Sequence, residues 1–104
     1  MNDVTMLLGE NAKENFQILK TSNPNYTWLH LNSFSSGHMI IESEKTIPNE
    51  ILNAAAYFCL QNTKYRNLKN FSVIYCKVSN IIPTDKVGEI VFKSYKKTTR
   101  LVIR

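Results

Sequence analysis

Glycine and proline are scarce in this sequence, three of each in 104 residues, which excludes collagen-like repeats, flexible Gly/Ser linkers and proline-rich recognition tracts. With no internal repeat and no linker, residues 1–104 are expected to form a single domain. Cysteine is also sparse. Cys59 and Cys76 form no Cys-x-x-Cys pair and have no histidine at metal-ligand spacing, so no metal site and no cofactor are expected. In a reducing compartment both read as buried thiols rather than a disulfide. No apolar run approaches the roughly 20 residues that cross a bilayer. The start, Met1-Asn2-Asp3-Val4-Thr5, has neither a basic region nor a long apolar stretch. The expected setting is the cytoplasm, with the nucleus as the other compartment, and no membrane insertion is expected.

Acidic residues are nearly missing from one half of the chain. Positions 64–104 hold ten Lys and Arg against Asp85 and Glu89, whereas positions 1–63 hold three Lys against six acids, within a formal net charge of +5. A cationic half of this kind points to a polyanionic partner, because each Lys or Arg near a phosphate releases a condensed counterion. The hydrophobic fraction, 43%, is that of a globular domain rather than a disordered segment.

The hydrophobic pattern predicts an α+β fold: a largely antiparallel or mixed sheet of about five to six strands packed by one main helix over about residues 48–62. Thr5 to Leu8 reads as a short strand ended by Gly9, and Asn11 to Lys20 as a short helix or turn. Tyr26–Asn32 and Gly37–Ser43 read as paired strands. Pro48 suits a first helical turn, and Ile51, Leu52, Ala55, Phe58 and Cys59 make an apolar stripe behind it. Phe71–Val78, Val87–Lys93 and Arg100–Ile103 are the remaining strands, with Ser94–Thr99 expected as a basic hairpin tip between the last two.

The chain has two histidines and one tryptophan, and all three fall within eleven positions. A turn centred on Phe34 places His30 directly opposite His38, with Cβ atoms about 4.5 to 5.5 Å apart. Leu29 and Leu31 then share one sheet face with Met39 and Ile41, while Trp28 and His30 share the other with His38 and Ile40. A slip of one residue would drive a histidine into the core, so the apolar pattern supports this register.

These motifs, in order, resemble the NFACT-R family, the RNA-binding module of ribosome-quality-control factors, in a stand-alone form. Gly9-Glu10-Asn11-Ala12-Lys13-Glu14-Asn15 is similar to the family's opening, Trp28-Leu29-His30 to its Asp-x-Trp-x-His signature, and Ser35-Ser36-Gly37-His38-Met39-Ile40-Ile41 to its Ser-His-Val segment. Ile47-Pro48-Asn49-Glu50-Ile51-Leu52, Val73-Ile74-Tyr75 and Val87-Gly88-Glu89-Ile90-Val91-Phe92 match later blocks. The sequence departs from the pattern at Tyr26, where the signature has an acid, at Glu10, where it has a basic residue, and at Glu42, where it has an arginine.

The resemblance implies a non-catalytic module that binds structured RNA such as tRNA or rRNA, with DNA as an alternative nucleic acid, in translation or ribosome-associated quality control. Lys64, Arg66, Lys69, Lys77, Lys93, Lys96, Lys97 and Arg100 would then meet phosphates. Trp28, Tyr26 or Tyr95 would stack on an unpaired base, and His30, Ser36 and His38 would bond to phosphate or a 2′-hydroxyl. Trp28 has a competing role in packing, and the histidines a competing role in satisfying backbone carbonyls. Two other functions are an adaptor docking on a ribosomal or translation-factor surface and a metal-independent ribonuclease using His30 and His38 as general acid and base.

Overall fold

Alternating apolar residues in five segments build one antiparallel sheet in the computed structural model, which describes residues 4–86 and 89–103. Strands β1 (Thr5–Leu8), β2 (Thr27–Leu31), β3 (Met39–Glu42), β4 (Phe71–Lys77) and β7 (Thr99–Ile103) lie in the order β1-β3-β2-β4-β7. A second, two-stranded ribbon pairs β5 (Ile81–Pro83) with β6 (Ile90–Phe92). Two helices complete the α+β fold, α1 (Ala12–Thr21) and α2 (Asn49–Gln61).

Each helix starts where its sequence provides a start signal. The Asn11 side chain accepts the Glu14 amide at 2.9 Å, an N-cap worth about 1 kcal/mol, and Glu14 answers by accepting the Glu10 amide at 2.9 Å. Pro48 precedes α2, and its carbonyl accepts the first helical bonds. The segment Asn11–Lys20, expected as a helix or turn, is thus a helix of ten residues.

Helix α2 covers one sheet face. Leu52, Ala55, Ala56, Cys59 and Leu60 are buried against Leu29, Leu31, Met39, Ile41 and Val73. Burial of each large aliphatic side chain there contributes about 1.5–3 kcal/mol. Phe58, expected in the stripe, is 46% exposed, because Ala56 and Leu60 occupy the inward positions at its expense.

The opposite face is closed as well. Trp28, Ile40 and Cys76 form a second cluster with Leu19 of α1, Val78 and Ile81, against which Ile18, Ile90 and Phe92 pack. The main helix therefore covers only one of the two buried sheet faces. The expected hairpin between the last two strands is also corrected: β6 pairs with β5 and β7 with β4, so Ser94–Thr99 crosses between two sheets through a 3₁₀ turn at Tyr95–Lys97. Asn80 fixes the crossing, donating to the Ser94 carbonyl at 3.0 Å and accepting the Ser94 amide at 3.0 Å. Of the expected strand Val87–Lys93, Val87 and Gly88 lie outside the described residues, and Ile90–Phe92 forms β6.

Candidate nucleic-acid interface

The β2–β3 register pairs Trp28 with Ile40 and Leu29 with Met39, and its continuation sets His30 opposite His38. Their rings meet edge to face with centroids 5.3 Å apart. Trp28 stacks on His30 at 5.7 Å and meets His38 edge-on at 5.5 Å. On its other side it meets Phe92 at 5.6 Å, and Phe92 in turn meets Tyr95 at 5.3 Å. An aromatic series therefore runs from the histidine pair, half-buried His30 and buried His38, to Tyr95, which is 77% exposed beside Lys96 and Lys97. Trp28 is only 3% exposed. The base-stacking role expected for it has no open ring face, and Tyr95 is the aromatic that offers one.

Two glycines and one asparagine hold the pair in place. The Gly9 amide donates to the His38 carbonyl at 3.0 Å, and the buried Asn15 side chain accepts the His38 amide at 3.0 Å. A Cβ at Gly37 would collide with the Gly9 carbonyl, and one at Gly9 with the Asn15 side chain. The opening motif thus clamps the start of β3 against α1. In the sequence Asn15 enters only as the last residue of the opening motif, with no role of its own. The turn itself carries Ser33 at φ 73°, in the left-handed region.

The hydroxyl of Ser36 accepts the Leu31 amide at 3.2 Å and donates to the Gly37 carbonyl at 3.0 Å. It is committed to shaping the turn. The His30 Nδ1 lies 2.6 Å from the Leu31 carbonyl, so this nitrogen carries the proton and Nε2 is left as an acceptor. Burial lowers the His30 pKa, opposed by its backbone bonds. Burial, joined by the neighbouring His30, lowers that of His38 to about 4. Both imidazoles are neutral at pH 7. The lowered pKa values work against either ring meeting phosphate as a cation in the unliganded domain. The Nδ1 of His38 and the Nε1 of Trp28 are buried without a hydrogen-bond partner among the described residues.

These side chains line a cleft of about 660 Å³, whose other walls include Phe34, Ile74, Glu89, Ile90 and Phe92. A second cleft of about 490 Å³ shares Asn15, Ser35 and Ser36 with it and brings in Lys64 and Tyr65, the Lys64 ammonium lying 5.4 Å from the Tyr65 ring centroid. A third, of about 230 Å³, gathers Lys45, Lys77 and Lys97 with Thr27, Thr46 and Thr99. Lys45 was missed in the sequence because it lies in the acidic half. The pairings Thr27 with Lys77 and Tyr75 with Thr99 bring that third wall together. Arg66, Lys69, Lys93 and Lys96 are exposed but line none of these three clefts. Arg100 is exposed on β7 opposite Ile74, in the same cross-strand row as His30. The described residues contain no group of three metal-ligating side chains, and none of their helices is long and apolar enough to cross a membrane.

Residues 1–94 match the model of the NFACT protein RNA binding domain. The chain belongs to that family. It is 29% identical over 100 residues to coiled-coil domain-containing protein 25 of Mus musculus and, equally, to that of Bos taurus, covering 88% of this chain and 48% of each relative. The NFACT-R chain thus spans about half the length of the curated relatives it matches. Its fold is also that of the C-terminal part of the fibronectin/fibrinogen-binding protein from Streptococcus suis, with a TM-score of 0.84 at 18% identity over 97% of this chain and 41% of that one.

Proposed function

We propose that this NFACT-R domain binds structured RNA such as tRNA or rRNA without turnover, in translation or ribosome-associated quality control. The cytoplasm is its place of work, with the nucleus as the other compartment. The observation that carries the reading is the cleft formed by Lys45, Lys77 and Lys97. These three lysines and Thr27, Thr46 and Thr99 line it with no acidic residue among the lining residues, and the Lys77 ammonium donates to the Asn25 carbonyl at 2.9 Å. That chemistry suits a phosphate, with the ammonium groups acting as point charges. The exposed Tyr95, beside Lys96 and Lys97, adds a stacking surface next to the backbone track.

Binding of end-labelled tRNA followed by anisotropy over a series of salt concentrations tests this. Neutralising one single-stranded phosphate contributes about −0.7 to the log–log salt slope, and a duplex phosphate about −0.9. The double charge reversal Lys77→Glu with Lys97→Glu is expected to flatten the slope by between one and two and to weaken binding at least tenfold. Unchanged affinity and slope would refute this placement. The adaptor reading has one observation in its favour, the exposed Tyr57 and Phe58 on the outer side of α2. A ribosomal or translation-factor complex that survives nuclease treatment would support that reading over RNA binding. Duplex DNA competing equally with tRNA would widen the partner class to nucleic acid in general.

A further inference from the structure

We propose that the cleft between the histidine pair and the β5–β6 ribbon seats one unstacked nucleobase bearing an exocyclic amino group, with Arg100 holding the phosphate of that nucleotide outside. The inference rests on the RNA-binding reading and assigns the edge of a base to histidines that the sequence reading offered to phosphate or a 2′-hydroxyl.

Charge decides against phosphate. Among the residues lining the cleft there is no Lys or Arg, and the one ionised side chain is Glu89, whose carboxylate would repel a polyanionic backbone. The histidines do not compensate, since both are neutral. What the cleft offers instead is acceptors: Nε2 of His30, left free of its proton by the bond from Nδ1 to the Leu31 carbonyl, and the carboxylate of Glu89. Glu89 is held on the ribbon turn by Thr84, whose hydroxyl donates to the Glu89 carboxylate at 3.3 Å and whose amide donates to the Glu89 carbonyl at 3.0 Å. Adenine, cytosine and guanine present an amino group to such a wall. Uracil has no amino group; its single donor there, the N3 imide, is flanked by two carbonyl oxygens that would face the acceptors of the wall, so it is disfavoured.

Shape and unpaired polarity agree with this occupant. Ile74, Ile90 and Phe92 give apolar surface for a planar ring. The indole Nε1 of Trp28 and Nδ1 of His38, both on residues at least nine-tenths buried, lack partners in the wall of the same cleft. Both atoms are covered in the unliganded domain, so a base would bond to either only where the cleft wall shifts to uncover it. Finally, the sheet puts a cation at the right remove. His30 pairs with Ile74 and Ile74 with Arg100, so the guanidinium rises from the same row two strands away, about 10 Å along the sheet.

Trp28 is the sole tryptophan, so its emission reports this site. The probes are nine-residue oligouridylates whose central position is adenosine, cytidine, uridine or abasic, with labelled-RNA anisotropy as a second readout. The adenosine and cytidine oligomers are expected to shift Trp28 emission and to bind roughly tenfold more tightly than the uridine and abasic ones. Glu89→Gln, at an exposed position, and His30→Phe are expected to bring all four within twofold while anisotropy still shows salt-dependent binding. Equal binding of the four by wild type, or a preference that survives Glu89→Gln, overturns the base site and leaves RNA binding standing. Adenosine monophosphate that saturates the emission change at a lower concentration than the adenosine oligomer assigns the cleft to a free nucleotide and overturns the RNA base. Absence of binding to every oligomer and to tRNA in the anisotropy channel removes the RNA-binding reading itself.

Discussion

The two faces of the five-stranded sheet are both buried, but by different means. Under α2 the contacts are mainly aliphatic, with Phe71 among them, and Leu29, Met39, Ile41 and Val73 have no exposed surface. On the other face a ten-residue helix and a two-stranded ribbon cover a row that includes an indole and two imidazoles, and they leave a cleft and two unpaired polar atoms. The difference teaches where stability and recognition reside. One face holds the larger apolar cluster, and the other has unpaired polar atoms beside a cleft.

The comparison can be broken at three places. Leu29→Ala on the α2 face is expected to cost about 2–5 kcal/mol in urea unfolding, the cost of a cavity in a close-packed core. A loss below 1 kcal/mol would show that this face does not dominate. Acid comes next. The His38 pKa is about 4 in the folded state and 6.5 when unfolded, so between these values the unfolded chain binds the extra proton. Stability is then fully present above pH 6.5 and is lost as pH falls toward 4, by on the order of 3 kcal/mol, with the lowered His30 acting in the same direction. A urea midpoint that stays constant from pH 7 to pH 5 would contradict the burial of that ring. Smallest is Asn15→Ala, which leaves the buried His38 amide unpaired at a cost of about 1–3 kcal/mol. Because it loosens the clamp, its Trp28 emission should change in the native state, whereas that of Leu29→Ala should not.

Much of the sheet is legible in the sequence. The alternation from Tyr26 to Ser43 specifies the strands, the two faces and the register that opposes His30 to His38, because any slip buries a polar ring among aliphatic side chains. What alternation does not reveal is whether the second face meets solvent. Trp28, Ile40 and Cys76 are as compatible with a covered face as with a half-exposed one, and the short cover, α1 with β5 and β6, has weak periodicity of its own. Sequence adjacency also misleads at the carboxy terminus. Two strands separated by a polar turn read as a hairpin, whereas Asn80 anchors Ser94 and directs β7 back to β4. For the candidate site, the cationic positions are legible as a cluster in sequence, but the grouping of Lys45 with Lys77 and Lys97 depends on the fold.

The contact between Gly9 and Gly37 has a consequence for variation within this family of folds. At position 37 the obstacle is a backbone oxygen, which no neighbouring rotamer can move, so every side chain is refused there whatever its chemistry. Positions 30, 38 and 89 differ in kind: if the proposed base site holds, what separates substitutes of similar volume there is their pattern of donors and acceptors. Tolerance at the glycines is set by volume, and tolerance at the cleft by chemistry, so two positions as close as 37 and 38 answer to independent constraints.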